Sequence, residues 1–329
     1  MCYKQERYKE ITDNLKVKLG DTPDFIKEYF TENRKSAKTN NCYWSYVRDL
    51  LNWLMENKYI DKCFICDLTP EDLDKVKPVY ISKYMSALEN GDGCRKNCEN
   101  SLATKQNVFS GFWAYLVNND YVDKNIIERM QIKYKPLETD RENISVPTMD
   151  VLEDIFSRIS LNSNEFLKNR DNTIMQLMLS TGIRLSELVG LDISDICIDG
   201  GNRYVEVMGK GRYEIKEKSS MSIKAQKTLE EYLKSRELFL NERGIKSEAL
   251  FVSLKGGRLK ERSVEHLVKK YSDNKIHCHM LRHYCGTYVA ANNPIEVVAD
   301  QLRHRSTSTS FKYYVKKDIE KTKNAVANM

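Results

Sequence analysis

Short motifs in the second half of the sequence carry the side-chain types that bind anions and transfer protons. In STGIRLSELVGL, Gly182 is predicted to end one helix and Arg184 to begin the next. A guanidinium beside the free N–H groups of a helix N-terminus suits an oxyanion or a phosphate. The alternative is a helix-start arginine that pairs with Glu187, three residues along the same helix.

Two further motifs supply a proton-transfer group and more positive charge. His279 and Arg282 in HMLRH are three residues apart, so a helix would present both on one face. Lys210, between Gly209 and Gly211, is predicted at the tip of a β-hairpin, where an ammonium group could reach a leaving oxygen. The alternative for HMLRH is a surface turn of a basic helix. The alternative for Lys210 is a solvated lysine in a common hairpin turn.

The segment LRHRSTSTSFKYY places His304 at the end of a predicted helix, and Tyr313 and Tyr314 after a run of hydroxyl side chains. A tyrosine is by default a packing residue. A phenol that has a proton acceptor or a strong positive field nearby is also a nucleophile. Each motif alone has low specificity, whereas their order and spacing together are far more specific.

That order, Arg, Lys, His-x-x-Arg, His and Tyr, resembles the tyrosine recombinase (phage integrase) family. The family's motifs are T-G-x-R-x-S-E-L, G-K-G, H-x-L-R-H and an L-G-H box that precedes the nucleophile. The matching positions are Thr181, Gly182, Arg184, Ser186, Glu187, Leu188, Gly209, Lys210, Gly211, His279, Leu281, Arg282, His283, Thr287, Leu302, His304 and Tyr313.

The resemblance implies that Tyr313 attacks a DNA phosphate held by Arg184 and Arg282. Tyr313, and not Tyr314, has the family's nine-residue spacing from His304. Two arginines would neutralise the phosphate oxygens as charge shifts in the transition state. The implied product is a 3′-phosphotyrosine, which stores the bond energy and allows rejoining without ATP, metal or any other cofactor. In agreement, the sequence has no P-loop pattern and no evident carboxylate-rich metal site.

The resemblance assigns four supporting residues. Lys210 resembles the general acid for the leaving 5′ oxygen, and His279 the proton-transfer histidine. His304 resembles the histidine that hydrogen-bonds the phosphate, and Glu187 the acidic residue that steadies the site.

Two positions depart from the family pattern. Arg303 replaces the glycine before the second histidine, so we expect that turn to have a different shape. After G-K-G, the usual polar run is replaced by Arg212-Tyr213-Glu214-Ile215. Neither departure removes a catalytic residue.

Helical periodicity dominates the first third of the chain. Apolar residues recur at three- and four-residue spacing over 43–54 and 102–116, which predicts two long amphipathic helices. Shorter helices are predicted at 23–33, 69–76 and 78–89. The result is an all-helical bundle, similar to the family's SAM-like core-binding domain.

The second part of the chain mixes helical and alternating patterns. A β-hairpin is predicted around Gly209–Gly211. Helices are predicted to begin at Thr148 and to span 171–180, 223–239, 263–271, 280–291 and 294–303. We therefore expect an α+β, mostly helical catalytic domain at 148–329, a polar linker at 136–147 and the helical domain at 1–135.

Composition limits the class of protein. The chain has 329 residues, 41% hydrophobic and 30% charged, enough for about two folded domains. The net charge of +6 permits a polyanionic partner without demonstrating one. The charged N-terminus and the lack of long apolar runs argue against a secretory signal or membrane span. We therefore predict a cytoplasmic protein with reduced thiols.

Two cysteine pairs invite a metal interpretation. Cys63 and Cys66, with Cys94 and Cys98, could form the halves of a zinc site. Because Phe64 lies within the first pair, we favour buried thiols and no metal.

The resemblance also implies partners. We expect double-stranded DNA, gripped in part by Arg48 and Lys105 of the first domain, and a homotetramer on paired sites. The sequence begins close to the core-binding domain, so we expect no arm-binding domain, which favours an Xer-like or mobile-element recombinase. The alternatives are a type IB topoisomerase and a non-catalytic DNA-binding regulator, and strand exchange or covalent DNA capture would distinguish them.

Overall fold

A computed structural model of the chain describes residues 3–93, 95–136, 145–199, 201–208, 216–304 and 306–314. The chain divides into two compact units, Met1–Glu138 and Thr139–Met329. None of the helices in the described ranges is both long and apolar enough to span a membrane. The expected domain bounds given above remain a prediction.

The first unit is helical. Its helices are α1 (Tyr3–Leu19), α2 (Asp24–Glu32), α3 (Ala37–Glu56), α4 (Pro70–Asp74), α5 (Pro78–Asn90) and α6 (Glu99–Asn118). Each contributes apolar side chains to one core. Phe112 and Trp113 of α6 lie fully inside it, with ring centroids 5.5 Å apart in an edge-on arrangement.

Periodicity and capping explain why these segments are helical. In α3, Val47, Leu50, Leu51 and Leu54 are all buried, as the predicted stripe requires. The helix begins where the Ser36 hydroxyl accepts the backbone N–H of Thr39 at 3.2 Å.

Helix α1 was not predicted. Its buried apolar side chains, Leu15 and Leu19, lie near the end of the helix, and the rest of the segment is mostly charged or polar. Such a segment has too weak a periodicity for a sequence-based assignment.

The second unit combines helices with a small sheet. Its helices are α7 (Met149–Ser160), α8 (Glu165–Thr181), α9 (Leu185–Val189), α10 (Ile223–Asn241), α11 (Glu261–Tyr271), α12 (Cys278–Ala290), α13 (Ile295–Leu302) and α14 (Thr307–Tyr314). Its strands are β1 (Ile196–Asp199), β2 (Asn202–Met208) and β3 (Lys216–Ser220). Helix α8 is central and packs on both α10 and α12.

The sheet is antiparallel in the order β1-β2-β3. Val205 pairs with Ile196 on one side and with Ser219 on the other. The pairing of β2 with β3 agrees with the predicted hairpin, although its tip at 209–215 lies outside the described residues. The mostly helical α+β prediction is confirmed, whereas β1 and α14 were not predicted.

The expectation of buried thiols at the cysteine pairs is wrong. Cys63, Cys66 and Cys98 are all exposed. The first pair lies at a surface turn over Ile65–Asp67, beside Phe64, which is 67% exposed, and Cys98 lies at the start of α6. Cys94 lies outside the described residues. Across all the described ranges, no group of three or more His, Cys, Asp or Glu side chains could hold a metal ion.

Candidate active site

The site is built where α8 ends and α9 begins. Gly182 closes α8 in the left-handed conformation with φ 57°, and Arg184 is the N-cap of α9. The buried carboxylate of Glu187 accepts the backbone N–H of Arg184 at 3.0 Å and its guanidinium at 2.9 Å. The structure therefore shows the helix-start arginine paired with Glu187 that the second interpretation predicts, and the phosphate-binding role stays a prediction.

Glycine is required at position 182 for two reasons. Its φ lies in the region that favours glycine, and a Cβ there would overlap the Cδ2 atom of Leu302. The close approach lets the end of α13 pack on the end of α8.

Arg282 joins three elements at this point. It is 3% exposed and donates to the carbonyls of Gly182 and Leu302, the second at 2.6 Å. Burial, followed by the Arg184 and Arg303 charges, lowers its pKa to about 10, so it remains a cation at neutral pH. A guanidinium has five N–H donors, so other donors remain for an anion.

Three histidines lie around the arginines. The rings of His279 and His283 on α12 are 4.5 Å apart at 82°, and His304 Nδ1 lies 2.6 Å from Ser310 Oγ. Desolvation, then neighbouring positive charges, lower the pKa of His283 and of His304 to about 4. The pKa of His279 is lowered by desolvation and then by Arg282. Neutral imidazoles can accept or donate a proton.

Two tyrosines at the end of α14 reach the cluster in different ways. The Tyr314 hydroxyl lies 3.2 Å from His283 Nδ1, and its ring is nearly parallel to that of His304, at 9° and 6.3 Å. Burial raises the pKa of Tyr314 to about 12, although Arg282 opposes this. Tyr313 is half-buried, with its ring centroid 5.9 Å from that of His283.

Arg303 is the least expected member of the site. It has φ 54°, a left-handed conformation that costs an ordinary residue on the order of 1 kcal/mol. The turn thus keeps a backbone that suits glycine, although we expected a different shape. Its guanidinium forms an ion pair with Glu187 at 3.1 Å, and both side chains are buried.

The structure brings most of the expected residues together. Arg184, Arg282, His279 and His304 interact electrostatically in one cluster. Lys210 lies outside the described residues. Sequence reasoning assigned no role to His283, Arg303 or Tyr314. Of these three, His283 alone belongs to a matched motif, H-x-L-R-H, which is the signal that could have identified it.

Comparison with known proteins gives the cluster its context. Residues 148–321, more than half of the chain, match the phage integrase family. The chain belongs to this family. It is therefore a tyrosine recombinase, a DNA strand transferase that acts in site-specific recombination.

Individual relatives agree with this assignment. The tyrosine recombinase XerC of Escherichia coli O1:K1 / APEC is 31% identical over 216 residues, which cover 64% of this chain and 67% of that protein. The Tn1549 transposon integrase, in complex with a circular intermediate DNA, has a similar fold with TM-score 0.67 and 16% identity, covering 93% of this recombinase and 98% of that chain. The XerH recombinase bound to a palindromic difH substrate also has a similar fold, with TM-score 0.61 and 19% identity. The match covers 89% of this recombinase and 80% of the XerH chain.

Proposed function

We propose that this recombinase cleaves and rejoins double-stranded DNA through a 3′-phosphotyrosine on Tyr313. The observation that carries the proposal is the convergence of two guanidinium groups, Arg184 and Arg282, with histidines and the end of α14. Such a cluster binds a phosphodiester and places a phenol beside it.

In the cleavage step, the Tyr313 oxygen attacks phosphorus as the P–O5′ bond breaks. The phenol proton passes to the imidazole of His279, whose lowered pKa keeps it neutral at pH 7. The 5′ oxygen leaves with a proton from Lys210. Arg184 and Arg282 stabilise the charge on the non-bridging oxygens. Rejoining reverses these steps with a new 5′ hydroxyl.

Tyr314 is the alternative nucleophile, and its surroundings argue for an anchoring role. A Cβ at Gly286 would overlap the Tyr314 ring, so the ring packs directly on the backbone of α12. Its pKa of about 12 makes the phenolate costly to form. Tyr314 thus holds α14 in place, while Tyr313 keeps the family's spacing from His304.

We expect the recombinase to act as a homotetramer. Recombination joins two duplexes, so four strands must be cleaved, and each chain supplies one nucleophile. The XerH and Tn1549 structures are DNA complexes, which supports a duplex DNA partner for this chain.

In the first unit, Lys105 and Arg48 are the candidates for a DNA contact. The Nζ of Lys105 lies 5.3 Å from the centroid of the Tyr46 ring, which holds the ammonium at the helix surface. Arg48, the other candidate, already binds the carboxylate of Asp49 at 3.1 Å. A phosphate would have to compete with that carboxylate.

Substitution of Lys105 should therefore change the salt dependence of DNA binding. We expect Lys105→Ala to make the slope of log K against log [salt] less steep by ~0.9, because one fewer counterion is released. Because Arg48 is already paired with Asp49, Arg48→Ala should change the slope by less than ~0.9. Filter binding over a salt series measures both slopes, and an unchanged slope for Lys105→Ala would remove Lys105 from the DNA contact.

Strand exchange tests the function itself. Two duplexes of different length, each with one labelled end and a site captured from the genomic DNA of the source organism, are mixed with the chain. Recombination gives strands of new length that join the two labels. Relaxation of supercoiled DNA without exchange would instead indicate a topoisomerase, and binding without cleavage would indicate a regulator.

A further inference from the structure

Three guanidinium groups of the described residues lie around the buried carboxylate of Glu187. Arg184 Nη1 binds Oε1 at 2.9 Å, and Arg303 Nη2 binds Oε2 at 3.1 Å. Arg282 interacts with the same carboxylate electrostatically. The Arg303 side chain is only 2% exposed, whereas that of Arg184 is 35% exposed. Of the two groups bound to Glu187, only Arg184 can therefore reach a DNA phosphate.

Arg303 occupies its position at a cost. Its backbone lies in the left-handed region, its charge is buried, and its Nε has no hydrogen-bond partner in the described part of the chain. Glycine would avoid all three penalties. The arginine must therefore be explained by what its guanidinium binds.

Arg303 also links the elements around the site. Its Nη1 donates to the carbonyls of Gln301 at 3.1 Å and Thr181 at 3.4 Å. The Thr181 carbonyl accepts a second bond, from the Ser219 hydroxyl of β3, at 3.0 Å. The guanidinium thus lies where the ends of α8 and α13 meet β3, directly behind Glu187.

We propose that Arg303 is a positioning residue for DNA cleavage, which binds Glu187 so that Arg184 stays aligned and keeps its full attraction for the scissile phosphate. The inference rests on the proposed function, since it needs Arg184 at the phosphate. With Arg303 present, two guanidinium groups share the Glu187 carboxylate, so the three charged groups together keep a net positive charge. Without it, Arg184 alone neutralises Glu187 by direct contact, and its attraction for the phosphate weakens.

The proposal has a consequence for pH dependence. Burial alone would raise the pKa of Glu187, but the charges of Arg303 and Arg184 bring it below its ordinary value. Among the described residues, the charged groups that face this carboxylate are Arg184 at the start of α9, Arg282 on α12 and Arg303 after α13, while Glu217 on β3 acts on Arg303. Glu187 therefore stays ionised until the pH falls through its lowered pKa. Loss of Arg303 raises that pKa, so the Glu187 ion pair that aligns Arg184 is lost at a higher pH.

The test compares cleavage by the full chain and its variants on a nicked duplex that carries a captured site. We expect Arg303→Gly to bind this duplex with only slightly reduced affinity, because Arg184 makes one phosphate contact among several. It should cleave the duplex ~10²-fold more slowly in a single turnover, as a misplaced group does. The acid limb of its rate against pH should move to higher pH. Arg303→Lys, which keeps the charge, should restore part of the rate and of the acid limb.

A double substitution separates positioning from general stability. If Arg303 acts through Glu187, Arg303→Gly should slow the Glu187→Gln enzyme by much less than it slows the natural chain. An unchanged rate and acid limb in Arg303→Gly, or an equal slowing in both backgrounds, would overturn the proposal. If Arg303→Gly does not fold, Arg303→Asn, which tolerates the left-handed backbone, takes its place. Failure of the natural chain to cleave would contradict the proposed function instead.

Discussion

Tyr313→Phe should abolish the covalent protein–DNA adduct completely while leaving DNA affinity unchanged. The substitution removes one hydroxyl oxygen, which is the atom expected to bond to phosphorus, and keeps the ring. No other group on α14 has the spacing from His304 that the family requires. Denaturing gel electrophoresis of labelled nicked duplex measures the adduct, and a mobility-shift titration measures the affinity.

The neighbouring tyrosine is the matched control. Tyr314→Phe keeps the ring that packs on Gly286 and loses only the contact between its hydroxyl and His283 at 3.2 Å. We expect it to form the adduct at a reduced rate. If Tyr314→Phe alone abolished the adduct, Tyr314 would be the nucleophile and the assignment would shift by one residue.

Arg282→Lys should reduce the rate of cleavage by about 10²–10³, the effect of removing one donor to a developing oxyanion. Lysine keeps a positive charge but lacks the planar fork that binds the carbonyls of Gly182 and Leu302 together. Its ammonium would therefore bind one carbonyl or the phosphate, and the alignment would be lost. Single-turnover cleavage measures the effect.

A second buried arginine controls for lost packing. Arg236 on α10 also donates to backbone carbonyls, at 2.7 Å to Ser247 and 2.6 Å to Ala249, and is 8% exposed. We expect Arg236→Lys and Arg282→Lys both to lower the midpoint of thermal unfolding. At temperatures at which it is folded, Arg236→Lys should still cleave DNA at nearly the natural rate. Equal losses of cleavage in both variants would mean that Arg282 acts only through stability.

Sequence reasoning predicted the elements with strong apolar periodicity. The stripes of α3 and α6 are buried as expected. Elements without such a stripe were missed: α1 is largely charged, β1 has only four residues with Ile198 64% exposed, and α14 begins in a run of hydroxyl side chains. Their structure depends on tertiary contacts, such as that of Ser310 with His304, which no local pattern reports.

The site shows the same division. Arg184 and Arg282 could be assigned from motifs, because each lies in a run of residues that the family shares. Arg303 appeared only as a departure from the glycine of the family, and its ion pair joins residues 116 positions apart in sequence. Spacing from His304 could select Tyr313 over Tyr314 as the predicted nucleophile. The contacts of the two tyrosines could not be predicted, because they depend on how α14 packs on α12.

Covalent capture tests the central claim most directly. The natural chain is incubated with sheared genomic DNA of the source organism in EDTA and without ATP, then denatured, and the DNA-linked peptide is identified by mass spectrometry. In the proposed mechanism Arg184, Arg282 and Lys210 supply the positive charge, so we expect a 3′-linked adduct on the peptide that contains Tyr313. Cleavage that requires Mg²⁺ and leaves free ends, with no protein attached to DNA, would contradict the account.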